Sequence, residues 1–476
     1  MNVIVLLADG VRPDTLAGAI STGALPALAR LREDGGQFEI TSTFPSVTGP
    51  AYVPFLTGRF PGPVGLPGIR WYDRSRTRCR FPDYSRSYAG YQMAYVNNDL
   101  AADSPTIFEL VSGSVGALSV ITRGLVARDR FFALSPRSAL RGAWTHFAGG
   151  LGAMLKVDRE IGDAVVARAG RTPYIFAAFG SADKVAHAEG HESGGVVNAL
   201  RVVDDTVARL RHNLERHGEW EHTRLWVTSD HGHSAVTRHE DLAGVVENLG
   251  FRVLAHPWVF RFRPEVAVMV SGNAMAHVYV DIGSRKRPYL GGMTTRARAL
   301  VGQLLQRPSV DLLLTPDDAS TCTVHSATRG RAVVERRNGR YSYRRSDGDP
   351  LAIGDDLTDA SGSQAYDACL ATPYPDSVVQ IAHLASSDRS GDIILSAARD
   401  WDYRARFEPA QHVSTHGSLR REHMLVPLLA NHAPTRTPRR TVDLMPSSLA
   451  ALGRSAPALL DGESFVQDRE RAGRVR

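Results

Sequence analysis

Trp226-Val-Thr-Ser-Asp-His-Gly-His233 runs an apolar segment straight into a carboxylate, an imidazole and a turn glycine. Leu225 to Thr228 reads as a strand buried on both faces, because the run is short, apolar and bounded by a turn signal. Neighbouring side chains on a strand point oppositely, but a turn at Gly232 lets Asp230 and His231 converge on one point. Taken alone, the stretch also fits a polar turn in which Asp230 caps the next segment.

Outward from this strand, apolar runs alternate with helical patterns. Strands are expected at Val3 to Ala8, Ala117 to Ile121 and Tyr174 to Phe179. Helices are expected at Pro26 to Glu33, Val157 to Ala169, Val196 to Glu215 and Asp241 to Leu249. This alternation predicts an α/β fold, a mostly parallel sheet sandwiched by helices. Such sheets gather functional residues at the carboxyl ends of their strands, where Asp9 and the Asp230–His231 pair fall.

Residues 252–390 differ. Val266 to Val270 and His277 to Ile282 read as strands, and Asn338-Gly339 signals a tight hairpin. We expect an inserted cap subdomain over 252–390, with the catalytic core formed by 1–251 and 391–476. The core is expected to resume with a strand at Asp392 to Leu395.

The 476-residue chain is 43% hydrophobic, enough for a large core. Its net charge of +6 comes almost entirely from arginine, since Lys156, Lys184 and Lys286 are the only lysines. The excess fits the base composition of a GC-rich genome, and a field that attracts anions is its functional alternative. No basic run interleaved with aromatics marks a nucleic-acid-binding module. Three cysteines, Cys79, Cys322 and Cys369, are too scattered for a disulfide framework or a metal motif. No apolar stretch approaches a membrane span and no signal peptide is seen, so a cytoplasmic location is expected.

Further ligand-type residues stand in suggestive contexts. Asp9 ends an apolar strand, where a buried carboxylate is costly unless a cation or a helix N-terminus satisfies it. Thr48 precedes Gly49-Pro50, a helix start that runs to about Gly58. Its hydroxyl suits either an ordinary cap or a nucleophile meeting a phosphoryl group. Asp183 and His187 stand four apart and share a helical face, with His191 at the same interval beyond. His416 lies in a late His-Gly turn. Two divalent ions held by Asp9, Thr48, Asp183, His187, Asp230, His231 and His416 can clamp the attacking and leaving oxygens of an in-line displacement. Zinc is the default for such a donor set, and manganese or iron also suits it.

The ordered motifs resemble the alkaline phosphatase superfamily, and most closely its nucleotide pyrophosphatase/phosphodiesterase (type I phosphodiesterase) branch. They are Leu6-Leu-Ala-Asp-Gly-Val-Arg12, Phe44-Pro-Ser-Val-Thr-Gly-Pro50 with Leu56-Thr-Gly58, Asp183-x-x-x-His187, Ser229-Asp-His-Gly232, Thr415-His-Gly417 and Asp461-Gly-Glu-Ser464. The resemblance implies an alkaline phosphatase-like fold and two metal sites. One comprises Asp183, His187 and His416, the other Asp9, Thr48, Asp230 and His231. It further implies that Thr48 forms a phospho- or nucleotidyl-threonine that water hydrolyses.

Two positions depart from the branch, which usually reads Thr-Phe-Pro-Asn-His where this chain has Thr48-Gly-Pro-Ala-Tyr52. Ala51 replaces an asparagine that helps hold the phosphoryl oxygen, and Gly49 replaces a phenylalanine that flanks the leaving group. Lys184, His233 or Asn98 is expected to supply the missing donor. The leading expectation is a phosphodiesterase or pyrophosphatase acting on a small phosphate ester or nucleotide-like substrate. Phosphomonoester or phosphonate hydrolysis, for which Lys184 beside a ligand is a candidate anion contact, is the nearest alternative. Transfer to an alcohol acceptor is another, and a non-catalytic metal-binding protein is the reading from a different class.

Overall fold

A computed structural model describes residues 1–76, 85–87, 91–131, 150–256, 263–404 and 412–467. Its central sheet has seven strands in the order Gln37–Thr41, Leu425–Ala430, Thr223–Thr228, Asn2–Ala8, Tyr174–Phe179, Val115–Ala117, Arg130–Phe131. Only Leu425–Ala430 runs against the others, so the sheet is mostly parallel, as expected.

The two-residue period of a strand explains how both faces are filled. Val3, Val5 and Leu7 join Tyr52, Phe55 and Phe176 on one side. Ile4, Leu6 and Ala8 join Leu28, Leu200 and Leu210 on the other. Helices Pro26–Gly35, Gly150–Arg168 and Gly194–Arg216 cover that second face. Register then places the site. Ala8 pairs with Phe179 and Leu7 with Thr228, so the residues that follow these three strands leave the sheet at one edge.

The strand expected at Ala117 to Ile121 ends earlier, at Ala117, because Leu118 takes a φ of 52° that no strand continues. The expected helices at Val157 to Ala169 and Val196 to Glu215 appear as Gly150–Arg168 and Gly194–Arg216.

A second sheet has nine strands in the order Val253–Ala255, Val266–Ser271, Met275–Val280, Ile393–Ala397, Val310–Pro316, Thr321–Ser326, Gly330–Arg337, Arg340–Arg345, Leu357–Ala360. Asn338 and Gly339 join two of these strands with φ of 50° and 74°, the positive pair that a tight hairpin needs. The strand expected at Asp392 to Leu395 does form, as Ile393–Ala397, but in this second sheet rather than in the first. It lies antiparallel between Met275–Val280 and Val310–Pro316. Every one of its residues is buried, so its pattern matches that of a buried parallel strand.

The two sheets meet beside the strand ends. The turn Ser271–Ala274 presses on the loop of His416, with Ala274 N donating to His416 O at 3.0 Å. A Cβ on Gly272, whose φ is +66°, would come within 3.0 Å of Val47 Cβ and Gly417 Cα, so only glycine fits there. Cys322 and Cys369 are buried and free, while Cys79 lies outside the described residues. No helix among the described residues is long and apolar enough to cross a membrane.

Phe176 sits at the centre of the first sheet and packs edge-on against Tyr52, with ring centroids 5.7 Å apart. Phe176→Ala is expected to cost about 3–5 kcal/mol, read as an earlier urea unfolding midpoint.

Candidate active site

Three strand ends and two loops deliver the donors. Asp9 follows the strand Asn2–Ala8, and its amide is tied to Phe179 O at 3.0 Å. Asp230 and His231 follow Thr223–Thr228, and Asp230 Oδ1 accepts from Gly10 N at 3.3 Å. Asp183 and His187 share the helix Ser181–Glu189, which starts just beyond Phe179. That helix is anchored by the buried Asp158, whose carboxylate accepts from Gly180 N at 3.1 Å and Ser181 N at 2.9 Å. Thr48 ends a loop after Gln37–Thr41 and precedes the short turns Pro50–Tyr52 and Val53–Thr57, which stop at Gly58 in a left-handed conformation.

The donors fall into two groups. In one, Thr48 Oγ1 lies 3.2 Å from Asp9 Oδ1 and 3.2 Å from His231 Nε2. His231 Nε2 lies 3.3 Å from Asp9 Oδ1 and 3.4 Å from Asp230 Oδ2. In the other, His187 Nε2 and His416 Nε2 are 3.1 Å apart, and Asp183 Oδ1 is 3.4 Å and 3.5 Å from them. A tetrahedral zinc ion with bonds of about 2.0–2.1 Å holds its ligands roughly 3.3 Å from one another. Both groups match that spacing.

Tautomers point the same way. His187 Nδ1 lies 2.8 Å from Ser414 O, and His416 Nδ1 lies 3.1 Å from Ser46 O. A carbonyl only accepts, so each Nδ1 carries the proton and each Nε2 presents a lone pair. Two lone pairs facing each other repel unless a cation lies between them.

Charge makes the same demand. Burial first, then the charges of Asp230 and Asp183, hold the Asp9 carboxyl well above its usual range. Burial likewise raises Asp230, which is fully buried. Burial also works against ionising Asp183, but His187, His233 and His416 outweigh it and hold that carboxyl well below the usual range. The donor set therefore fits two divalent cations.

His233, expected as a substrate contact, joins the Asp183 group instead. Its Nε2 lies 2.8 Å from Asp183 Oδ1 and its Nδ1 3.0 Å from Ser414 Oγ. An ionised carboxylate only accepts, so Nε2–H donates to Asp183 and the Ser414 hydroxyl donates to Nδ1. Lys184 follows Asp183 on the helix, half-buried, and burial lowers its ammonium pKa. Asn98 is exposed on the short helix Val96–Asp99 and makes no hydrogen bond to either group among the described residues. His191 meets Arg12, with Nε2 2.9 Å from Nη1, rather than the ligand set. Sequence reading missed Tyr52, whose hydroxyl donates to Asp9 Oδ2 at 3.2 Å. Its place four residues after Thr48, at a helix start, is the signal that could have found it.

A profile of type I phosphodiesterases/nucleotide pyrophosphatases matches residues 3–419. The chain belongs to that family. It is a metal-dependent phosphoric-ester hydrolase of the alkaline phosphatase superfamily. No curated protein matches it. Among solved structures, phosphonoacetate hydrolase from Sinorhizobium meliloti 1021 in complex with phosphonoacetate is similar at a TM-score of 0.59 and 16% identity, covering 95% of this chain and 96% of that one. Human ectonucleotide pyrophosphatase/phosphodiesterase 5 is similar at 0.60 and 14%, covering 97% of each chain. An inactive threonine-to-alanine variant of the murine counterpart, in complex with AMP, is similar at 0.56 and 15%, covering 98% of each.

Removing the ring that holds Asp183 tests this arrangement. His233→Ala is expected to weaken metal retention about 10–100-fold, measured by competition with a chelator. Asp158 provides a pH test. Burial raises its carboxyl to about 6, above the ordinary 3.8, so the folded chain binds that proton more tightly than the unfolded chain. Its contribution to stability is then greatest below about pH 4 and declines as pH rises towards 6. Relative to Asp158→Asn, the parent protein is expected to lose roughly 3 kcal/mol across that window, read from urea unfolding at each pH.

Proposed function

We propose that the chain is a phosphodiesterase or nucleotide pyrophosphatase in which Thr48 is the covalent nucleophile and zinc the resident metal. The observation that carries this reading is Thr48 Oγ1 itself, half-buried and within 3.2–3.3 Å of both the Asp9 carboxylate and His231 Nε2. Bound at the two donor groups, divalent ions would supply the positive charge that lowers the hydroxyl's pKa and offsets charge developing on the phosphoryl oxygens. Metal sites would be formed by Asp183, His187 and His416, and by Asp9, Thr48, Asp230 and His231.

The chain's own residues do the rest. Asp9 and His231 hold the Thr48 oxygen at the edge of the sheet. That oxygen gives up its proton, which passes to solvent, and attacks phosphorus; the ester oxygen leaves with its bonding pair, and a phospho-threonine or nucleotidyl-threonine remains. Water then attacks the same phosphorus and returns Thr48. Tyr52 fixes the far oxygen of Asp9, and His233 fixes Asp183, so neither carboxylate rotates during the exchange. The murine relative whose threonine-to-alanine variant is inactive supports a threonine in this role by analogy.

Phosphonate or phosphomonoester hydrolysis is the second reading, and the residue that favours it is Ala51. It is fully buried and has no polar side-chain atom where the branch carries asparagine. Lys184 is retained as a candidate contact for a second anionic group. The strands between 253 and 360 are proposed to act as a cap that selects substrate, and free buried Cys322 and Cys369 support a reducing, cytoplasmic setting.

Thr48→Ala is expected to abolish turnover, with a loss of at least about 10³-fold, while metal content stays near that of the parent. Zinc-loaded protein is expected to hydrolyse a chromogenic phosphodiester in preference to the monoester of the same alcohol. A preference for the monoester, or for a phosphonate alone, replaces the first reading with the second.

A further inference from the structure

The loop that ends in Thr48 leaves the first sheet at Thr41 and next pairs only through a single bridge of Ser46 to Gly417, yet Ser42, Thr43 and Phe44 are all buried. Their backbone groups need partners, because an unmet buried N–H or C=O is costly. Ser42 N donates to Met424 O at 2.7 Å, and one side chain from the other half of the molecule serves two more of them. Gln380, on the helix Ser377–Ala385, is almost fully buried. Its Oε1 accepts from Phe44 N at 2.9 Å and from Thr43 Oγ1 at 3.3 Å, and its Nε2 donates to Ser42 O at 3.1 Å.

The amide of Gln380 can adopt only one orientation. Nε2 also donates to Asp376 Oδ2 at 2.8 Å, and a carboxylate cannot donate in return. Asp376 is itself fully buried and held by Arg440 through two bonds, at 2.8 Å and 2.7 Å. Flipping the amide would set Oε1 against a carboxylate and Nε2 against the Phe44 amide. A buried ion pair thus fixes a glutamine, and the glutamine fixes a loop.

Between Phe44 and Thr48 that loop has little slack. Ser46 Oγ donates to Ser418 O at 2.9 Å, Ser46 O accepts from His416 Nδ1, and Val47 N donates to Pro45 O at 3.0 Å. Ser42 Oγ donates to Asp230 O, so the same segment also touches the turn that carries Asp230 and His231. A shift at Ser42–Phe44 passes both to Thr48 and to the residues it faces.

We propose that Gln380 is a positioning residue for the reaction. It sets the place of Thr48 Oγ1 against Asp9 and His231, with Asp376 and Arg440 fixing its amide, and so makes the helix beside the second sheet part of the nucleophile's support. The inference rests on the reading of Thr48 as nucleophile. Gln380 touches none of the reacting atoms and acts through the backbone of Ser42–Phe44.

The test compares Gln380→Met, which keeps length and removes every polar bond, with the parent and with Thr48→Ala, on zinc-loaded protein and a chromogenic phosphodiester. The expected result is a folded variant with parental metal content, KM within about twofold and kcat lower by roughly 10–100-fold, since displacement of about 1 Å at a reacting group can cost 10²-fold. A parental kcat, or a loss that merely follows lost metal or lost folded fraction, overturns the proposal. If Gln380→Met does not fold, Thr43→Val removes one bond to the same amide. A smaller fall in kcat at constant KM is then expected, and no fall overturns the proposal. Substantial turnover by Thr48→Ala would instead overturn the nucleophile reading, which keeps the two failures distinct.

Discussion

Three carboxylates and four imidazoles share one buried corner of this protein, and the rest of the structure follows from that concentration. Asp9 and Asp230 repel each other and Asp183, and burial raises the cost of ionising them. Water screens Asp9 and Asp230 little, because both are buried with His231, His233 and His416. Divalent cations turn this cost into binding, since the charge that makes the cluster costly attracts the ion. The imidazoles are prepared for that role. His187 and His416 spend Nδ1 on carbonyls and leave Nε2 for the centre, while His233 spends Nε2 on Asp183.

Holding such a group together is a task for rigid elements. Parallel strands supply direction, because Ala8, Phe179 and Thr228 stop side by side and their next residues have nowhere to go but the same edge. His416 instead follows the two-residue strand Ser414–Thr415, which pairs antiparallel with Ser234 and Ala235 outside the first sheet. It is held by Ser46 on one side and the Gly272–Ala274 turn on the other. The first sheet therefore fixes the carboxylates, and the second sheet helps to fix the loops that complete them.

How much of this was legible in the sequence depends on the range of each interaction. The strand Asn2–Ala8, the helix Gly194–Arg216 and the hairpin at Asn338-Gly339 show in local periodicity and turn chemistry, and the structure agrees. Seven candidate ligands could be picked out because each breaks its local pattern with a polar group at a strand or helix end. The structure brings all seven into two groups. The sheet membership of Ile393–Ala397 was not legible, since a strand buried on both faces carries no mark of its partners. Nor were Tyr52 against Asp9 or Gln380 against Phe44, contacts that depend on how distant segments meet. His233 was legible as a polar group near the site, but the group that its ring nitrogen holds depends on a helix fifty residues away. Asn98 looked available from its type and place in the chain, yet it lies exposed on a helix with no hydrogen bond to the site among the described residues.

The same division bears on specificity. Gly49 and Ala51 leave the helix start beside Thr48 without the aromatic and amide groups that its branch carries there. Neither position can regain such a group by a simple shift, because Gly49 adopts a φ of 98° and Ala51 is packed at zero exposure. Discrimination among phosphate esters must then come from groups outside that helix start. The half-buried Lys184 stands beside Asp183, and the Ser271–Ala274 turn reaches the edge of the site from the second sheet. On the proposed reading of Thr48, a chain that keeps that hydroxyl and both donor groups without the adjacent contacts retains the means to break a phosphorus–oxygen bond. What it changes is which ester is held long enough for that bond to break.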